Sequence, residues 1–180
     1  MKCECGRHYM QDRGDANSPM AIVVDYPLVE DYLLRPPVLL GGRAGDAMKI
    51  ELANAGMDFN SLHVISYLPH PPSKDCEVDY GKELIMKLST KKVALVMGNS
   101  IFRDVFGMNG SDWYGLEVQT KLTKCRMVAC PAAYGLITMS LGEYRIAFGA
   151  FSRLSKSIAT TTTTTATKKS RKMVDYNGDR

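Results

Sequence analysis

AIVVDYPLVEDYLLRPPVLLGGRAG, residues Ala21 to Gly45, is the stretch whose reading decides the fold. It opens on the apolar run Ala21-Ile22-Val23-Val24, short and continuous, the pattern of a strand buried on both faces. Asp25-Tyr26-Pro27 ends that strand. A loop with Glu30, Asp31, Arg35, Pro36 and Pro37 follows, and Glu30 and Asp31 read as a solvated loop face. Gly41-Gly42-Arg43-Ala44-Gly45 then opens a helix that runs to about Ala55 and stops at Gly56. In open α/β sheets, ligands bind outside the carboxyl ends of the strands. An acid at such an end, followed by a glycine-rich helix start, marks the place to look for a site, although an ordinary βα connection reads the same way.

Outward from this unit the same alternation recurs. Leu62 to Leu68 reads as a second strand, ended by Pro69, Pro71 and Pro72. Tyr80 to Leu88 reads as a helix, Val93 to Met97 as a third strand, and Ile101 to Phe106 as a helix capped by Ser100. Gly107 to Gly115 is loop. Arg126 to Cys130 reads as a fourth strand halted by Pro131, and a last helix spans about Leu141 to Leu154. The order βαβαβ, a loop, then βα predicts one three-layer α/β/α sandwich around a central four-stranded parallel sheet. Residues 1–20 form a lead-in, poorly ordered or appended to a sheet edge; 21–155 form the domain. Residues 156–180, with six consecutive threonines at Thr160 to Thr165, have nothing to bury and read as a disordered basic tail.

Composition sets limits. No run of 18 or more apolar residues occurs, so no segment spans a membrane, and MKCECGRHYMQDRGD is too polar for a secretory signal. The expected location is cytoplasmic. Of 23 basic and 19 acidic residues, six basic and two acidic lie from Lys156 onward, which leaves the remainder neutral. Attraction to nucleic acid by net charge therefore comes only from the tail. The five cysteines are odd in number and irregular in spacing. Cys3-Glu4-Cys5 is C-x-C, not the C-x-x-C of most zinc or iron–sulfur sites, so free thiols and no metal or other cofactor are expected. His63 alternates with apolar strand positions and reads as a satisfied structural histidine; His70, between prolines, reads as a loop residue.

Taken together, AIVVDYP, GGRAGDAMKIELANAGMD, LHVISYLPHPP, VALVMGNSIFRDVFG and MVACPAAYGLI resemble the uracil-DNA glycosylase superfamily, nearest its thermostable bacterial and archaeal class and phage-encoded relatives. The likeness covers about Ala21 to Ser152, and G-R-A-G is its most specific piece. It implies hydrolysis of the N-glycosidic bond of uracil, or of a modified pyrimidine, after the nucleotide is extruded from DNA into a pocket. It implies Asp25 as the acid that holds the water or steadies the sugar cation. Cys130, in Cys130-Pro131-Ala132, stands where the family has a histidine that serves the departing base. The base pocket falls on Tyr26, Pro27, Leu40 and Ser66, or on Ile65 in place of Ser66 with a one-residue gap. DNA contacts fall on Gly42, Arg43, Gly45, Pro131, Tyr134 and Leu136, with Tyr134, Leu136 and Ile137 as a wedge into the duplex or as ordinary packing. The family's iron–sulfur cysteines are not matched beyond an echo at Cys3 and Cys5, so no cluster is expected. DNA, single- or double-stranded, is the implied partner, with a DNA polymerase or other replication protein beside it. Three readings stay open: an active glycosylase, a catalytically degenerate DNA-binding or replisome-accessory module on the same fold, and an unrelated doubly wound ligand-binding domain.

Overall fold

The computed structural model describes residues 3, 5–72, 76 and 78–172, with side chains up to residue 158. Its elements run β1 Met20–Val24, α1 Val29–Leu33, α2 Arg43–Asn54, β2 His63–Ser66, α3 Tyr80–Ser89, β3 Val93–Met97, α4 Asn99–Phe106, β4 Glu117–Thr120, β5 Thr123–Cys130 and α5 Gly142–Lys172. The sheet has five strands in the order β2-β1-β3-β5-β4. β1 pairs in parallel with β2 and β3, and β3 with β5. These four are the strands expected from the sequence.

The fifth strand is the difference. β4 pairs antiparallel with β5, with Thr120 opposite Thr123, so β5 starts three residues earlier than expected. Only Val118 of the Glu117–Thr120 segment is buried. A short edge strand with one apolar contact leaves too weak an alternation to be read from sequence.

Strand side chains divide between two layers, as the two-residue period dictates. Ile22, Val24, Val64, Leu95, Met97 and Val128 pack with Met48 and Leu52 of α2 and with Tyr144, Phe148 and Phe151 of α5. Ala21, Val23, Ile65, Ala94, Val96 and Met127 pack on the other face with Leu84 and Leu88 of α3 and Ile101 and Phe102 of α4. Helices thus cover both faces, which is why the strand runs are apolar without interruption. α5 continues to Lys172, beyond the expected end near Leu154; residues 173–180 of the basic tail lie outside the described residues.

The N-terminal segment is an edge appendage. Arg13 bridges antiparallel to Val64 through two backbone hydrogen bonds of 2.9 and 2.7 Å, and the Met10 N–H donates to the Pro69 carbonyl at 2.8 Å. The otherwise free edge of β2 is covered this way, which removes a template for intermolecular pairing.

The β1–α2 connection is more structured than a solvated loop. Asp31 is fully buried and accepts hydrogen bonds from the N–H groups of Leu28, Gly41 and Gly42. Glu30 accepts from the Ala44 N–H at 2.8 Å, placing an anion at the start of α2, where the helix dipole favours one. Both carboxylates serve orphan backbone donors, so the expectation of a solvated face fails for both. Gly45 is needed for packing: a Cβ there would lie 1.8 Å from the Leu40 carbonyl oxygen. No helix of at least 18 residues, among those described, is apolar enough to cross a membrane.

Candidate functional site

The topology fixes where a site can form. From β1 the chain crosses to β2 on one side, while β3 lies on β1's other side. α2 then covers one face and α4 the opposite face. The connections leaving β1 and β3 therefore diverge and open a crevice at their carboxyl ends, the switch point where doubly wound sheets bind ligands.

Asp25 and Gly98 occupy that crevice. The register sets Val24 beside Ser66 and Met97, and Met97 beside Cys130, so Asp25, Ser66, Gly98 and Cys130 share one sheet edge. The Asp25 carboxylate lies directly on the Gly98 backbone: a Cβ at Gly98 would fall 2.1 Å from both carboxylate oxygens. Gly98 also has φ +117°, a conformation L side chains rarely adopt. The Ser100 hydroxyl donates to Asp25 Oδ1 at 2.5 Å. Burial raises the Asp25 pKa, opposed by hydrogen bonds from Ser100 and the Ile101 backbone, while Asp104 adds to the rise and Arg103 lowers it. A carboxylate held by two donors yet short of solvation is a basic carboxylate, suited to taking a proton from water or facing a cation.

Three tyrosines surround this edge. Tyr26 follows the acid and is 37% exposed. Tyr67 and Tyr114 are half-buried, and their phenol pKa values are raised, first by burial and further by charges that include Asp25. The sequence reading missed Tyr67 and Tyr114. Tyr67 directly follows β2, and its N–H donates to the Val24 carbonyl at 2.8 Å; a tyrosine at a strand's carboxyl end was the available signal.

The other expected site residues divide. Pro27 is buried beside Asp25 in the chain. Cys130 is wholly enclosed, and burial pushes its thiol well above the ordinary value. It is a core residue and offers no exposed donor. The Ser66 hydroxyl donates to the Leu68 carbonyl at 2.5 Å, and its own N–H donates to Asp12, so it is committed internally. Ile65 faces the layer of α3 and α4. Leu40 is buried beneath α2 at φ +50°, inside the core. Gly42, Arg43 and Gly45 sit at the start of α2, with Arg43 exposed. Pro131 and Leu136 are buried, and Leu136 belongs to the core, so of the expected wedge only Tyr134, 58% exposed, projects freely.

A second cluster forms at the same end of the sheet. Cys3, Cys5, His70 and Cys76 bring their ligand atoms within 4.8 Å of one another. The Tyr80 hydroxyl lies 2.9 Å from Cys3 Sγ, and with the Cys5 backbone it holds the Cys3 thiol down to about 6. His70 is therefore a buried member of a polar cluster, not a plain loop residue. His63 is buried too, but among the described residues its Nδ1 has no hydrogen-bond partner, and its Nε2 is 3.9 Å from Asp12, so it is not fully satisfied there. A cleft of about 680 Å³ between the N-terminal segment and the residues after α1 is lined by Tyr9, Asp12, Arg13, Tyr32 and Arg35; Arg13 there is spent on the Leu39 and Leu40 carbonyls. No protein-family model and no curated protein matches the chain.

Proposed function

We propose that this protein is a glycosylase-type DNA-binding enzyme that hydrolyses the N-glycosidic bond of uracil, or of a modified pyrimidine, at the crevice holding Asp25. One observation carries the reading: a half-buried carboxylate with a raised pKa, locked by Ser100 against Gly98 at the switch point of the sheet. It stands where the resemblance to the uracil-DNA glycosylase superfamily puts the acid. In this reaction water attacks the sugar carbon, the bond to the base breaks, and its electron pair leaves with the base. Asp25 takes the proton from the water or screens the developing sugar cation. Tyr26, exposed beside it, stacks on the extruded base.

A second reading is a DNA-binding or replication-accessory module of the same architecture. Cys130 and Ser66 favour it, because the buried thiol and the committed hydroxyl leave the matched positions without a side-chain donor for the departing base. A single-stranded oligonucleotide carrying uracil separates the two. The enzyme converts it to an abasic strand that alkali cleaves; the binding module retains it intact. An intact strand with measurable binding rejects the enzyme reading for uracil, and a strand neither bound nor cleaved rejects both.

A further inference from the structure

We infer that Cys3, Cys5, His70 and Cys76 form a mononuclear tetrahedral zinc site that clamps the N-terminal segment to the loop beside the Asp25 crevice. The argument is geometric. Zinc bonds of about 2.3 Å to sulfur and about 2.0–2.1 Å to nitrogen, at tetrahedral angles, set ligand sulfurs about 3.8 Å apart and a sulfur and nitrogen about 3.6 Å apart. Cys3 Sγ and Cys76 Sγ are 3.7 Å apart. His70 Nε2 lies 3.4 Å from Cys5 Sγ and 3.5 Å from Cys76 Sγ. All four ligand atoms stay within 4.8 Å. Such a cage fits one ion. A four-iron cluster binds each thiolate to a different iron and needs wider separations.

The ligand chemistry agrees. Three thiols and one imidazole are a common structural zinc set. His70 Nδ1 is 2.8 Å from the Pro71 carbonyl, which can only accept. Nδ1 therefore carries the proton and Nε2 presents its lone pair to the thiols, the orientation a metal-bound histidine takes from its outer partner. Cys3 N–H donates to the Arg7 carbonyl and Gly6 N–H to the Cys3 carbonyl, each at 2.8 Å, a tight turn that presents both N-terminal sulfurs on one side. The site joins chain segments more than 60 residues apart. The loop carrying His70 is itself tied to the crevice, because the Leu68 N–H donates to the Asp25 carbonyl at 2.9 Å. Zinc thus fixes one wall of the crevice without entering the chemistry.

The test is metal content and metal-dependent stability of the full chain. Purified protein supplied with zinc should retain about one equivalent by mass spectrometry, and cobalt in its place should give the visible bands of tetrahedral thiolate coordination. A strong chelator should lower Tm, and zinc should restore it. His70→Ala and Cys76→Ala should weaken zinc binding at least about tenfold, whereas Cys125→Ser, outside the cluster, should keep it. His70→Cys should also keep zinc, which separates ligation from folding. Wild type retaining less than about a tenth of an equivalent would overturn the inference, as would undiminished zinc in both alanine variants or stoichiometric iron with sulfide in place of zinc.

Discussion

Gly98→Ala probes the crevice most sharply. The new Cβ would fall 2.1 Å from both oxygens of Asp25, and the backbone there has φ +117°. The backbone strain costs about 1–3 kcal/mol. Pushing the carboxylate aside breaks its bonds to Ser100 and to the first turn of α4, a capping loss of about 1 kcal/mol. Together these give about 3 kcal/mol, or roughly 6–12 °C in Tm for a chain of this size. The decisive form is a double-mutant cycle with Asp25→Ala, followed by thermal and urea unfolding. With the carboxylate removed, the clash vanishes and only the strain remains, so Gly98→Ala should cost about 1–2 kcal/mol less in that background. Equal costs in both backgrounds would refute the close packing of Asp25 on Gly98.

Asp31→Ala leaves three backbone donors without their acceptor and should cost about 3 kcal/mol in urea unfolding, with α2 the first element to lose amide-exchange protection. Glu51 is buried and takes a two-pronged bond from Arg145 at 2.9 and 3.1 Å, which holds its pKa below the usual carboxylate range. A depressed folded pKa contributes stability above the unfolded value and loses it as pH falls through the folded one; Glu51→Gln should therefore be less stable at neutral pH and converge on wild type in acid. Deleting residues 160–180 should leave Tm nearly unchanged, since the described core packing includes Ile158 and the deleted stretch opens on six threonines with little apolar surface to bury. It also removes Lys168, Lys169, Arg171, Lys172 and Arg180, and should flatten the salt dependence of single-strand binding by about 0.7 for each phosphate no longer neutralised.

Four parallel strands were legible because each is a continuous apolar run bounded by turn residues and buried on both faces. The shared edge of Asp25, Ser66, Gly98 and Cys130 followed from those strand ends. Other features depend on partners that sequence does not display. Glu30 and Asp31 look like surface acids until the N–H groups of Ala44, Gly41 and Gly42 are seen to converge on them. α1 is one helical turn inside a loop and has no period to read. The Cys3, Cys5, His70, Cys76 cluster escaped because its halves lie more than 60 residues apart and C-x-C is not a standard spacing. A second short pair, His70 and Cys76, following a strand end was the signal available.

The central claim is that Asp25 works at this crevice, and Asp25→Asn tests it most directly. Burial raises the folded pKa of Asp25, so its charged form weakens the fold: the stability linked to its protonation is present at low pH and lost as pH rises through the raised value. The substituted amide removes that charge but offers one acceptor oxygen in place of two for the Ser100 hydroxyl and the Ile101 N–H, so the folded variant should stay within about 1 kcal/mol of wild type at neutral pH. The measurement is the rate of abasic-site formation on uracil-containing single strands by wild type and Asp25→Asn, at matched folded protein. The account predicts a loss of about 10²–10³ in rate with Tm changed by no more than about 4 °C. Activity surviving within about tenfold of wild type, far short of that loss, would contradict it.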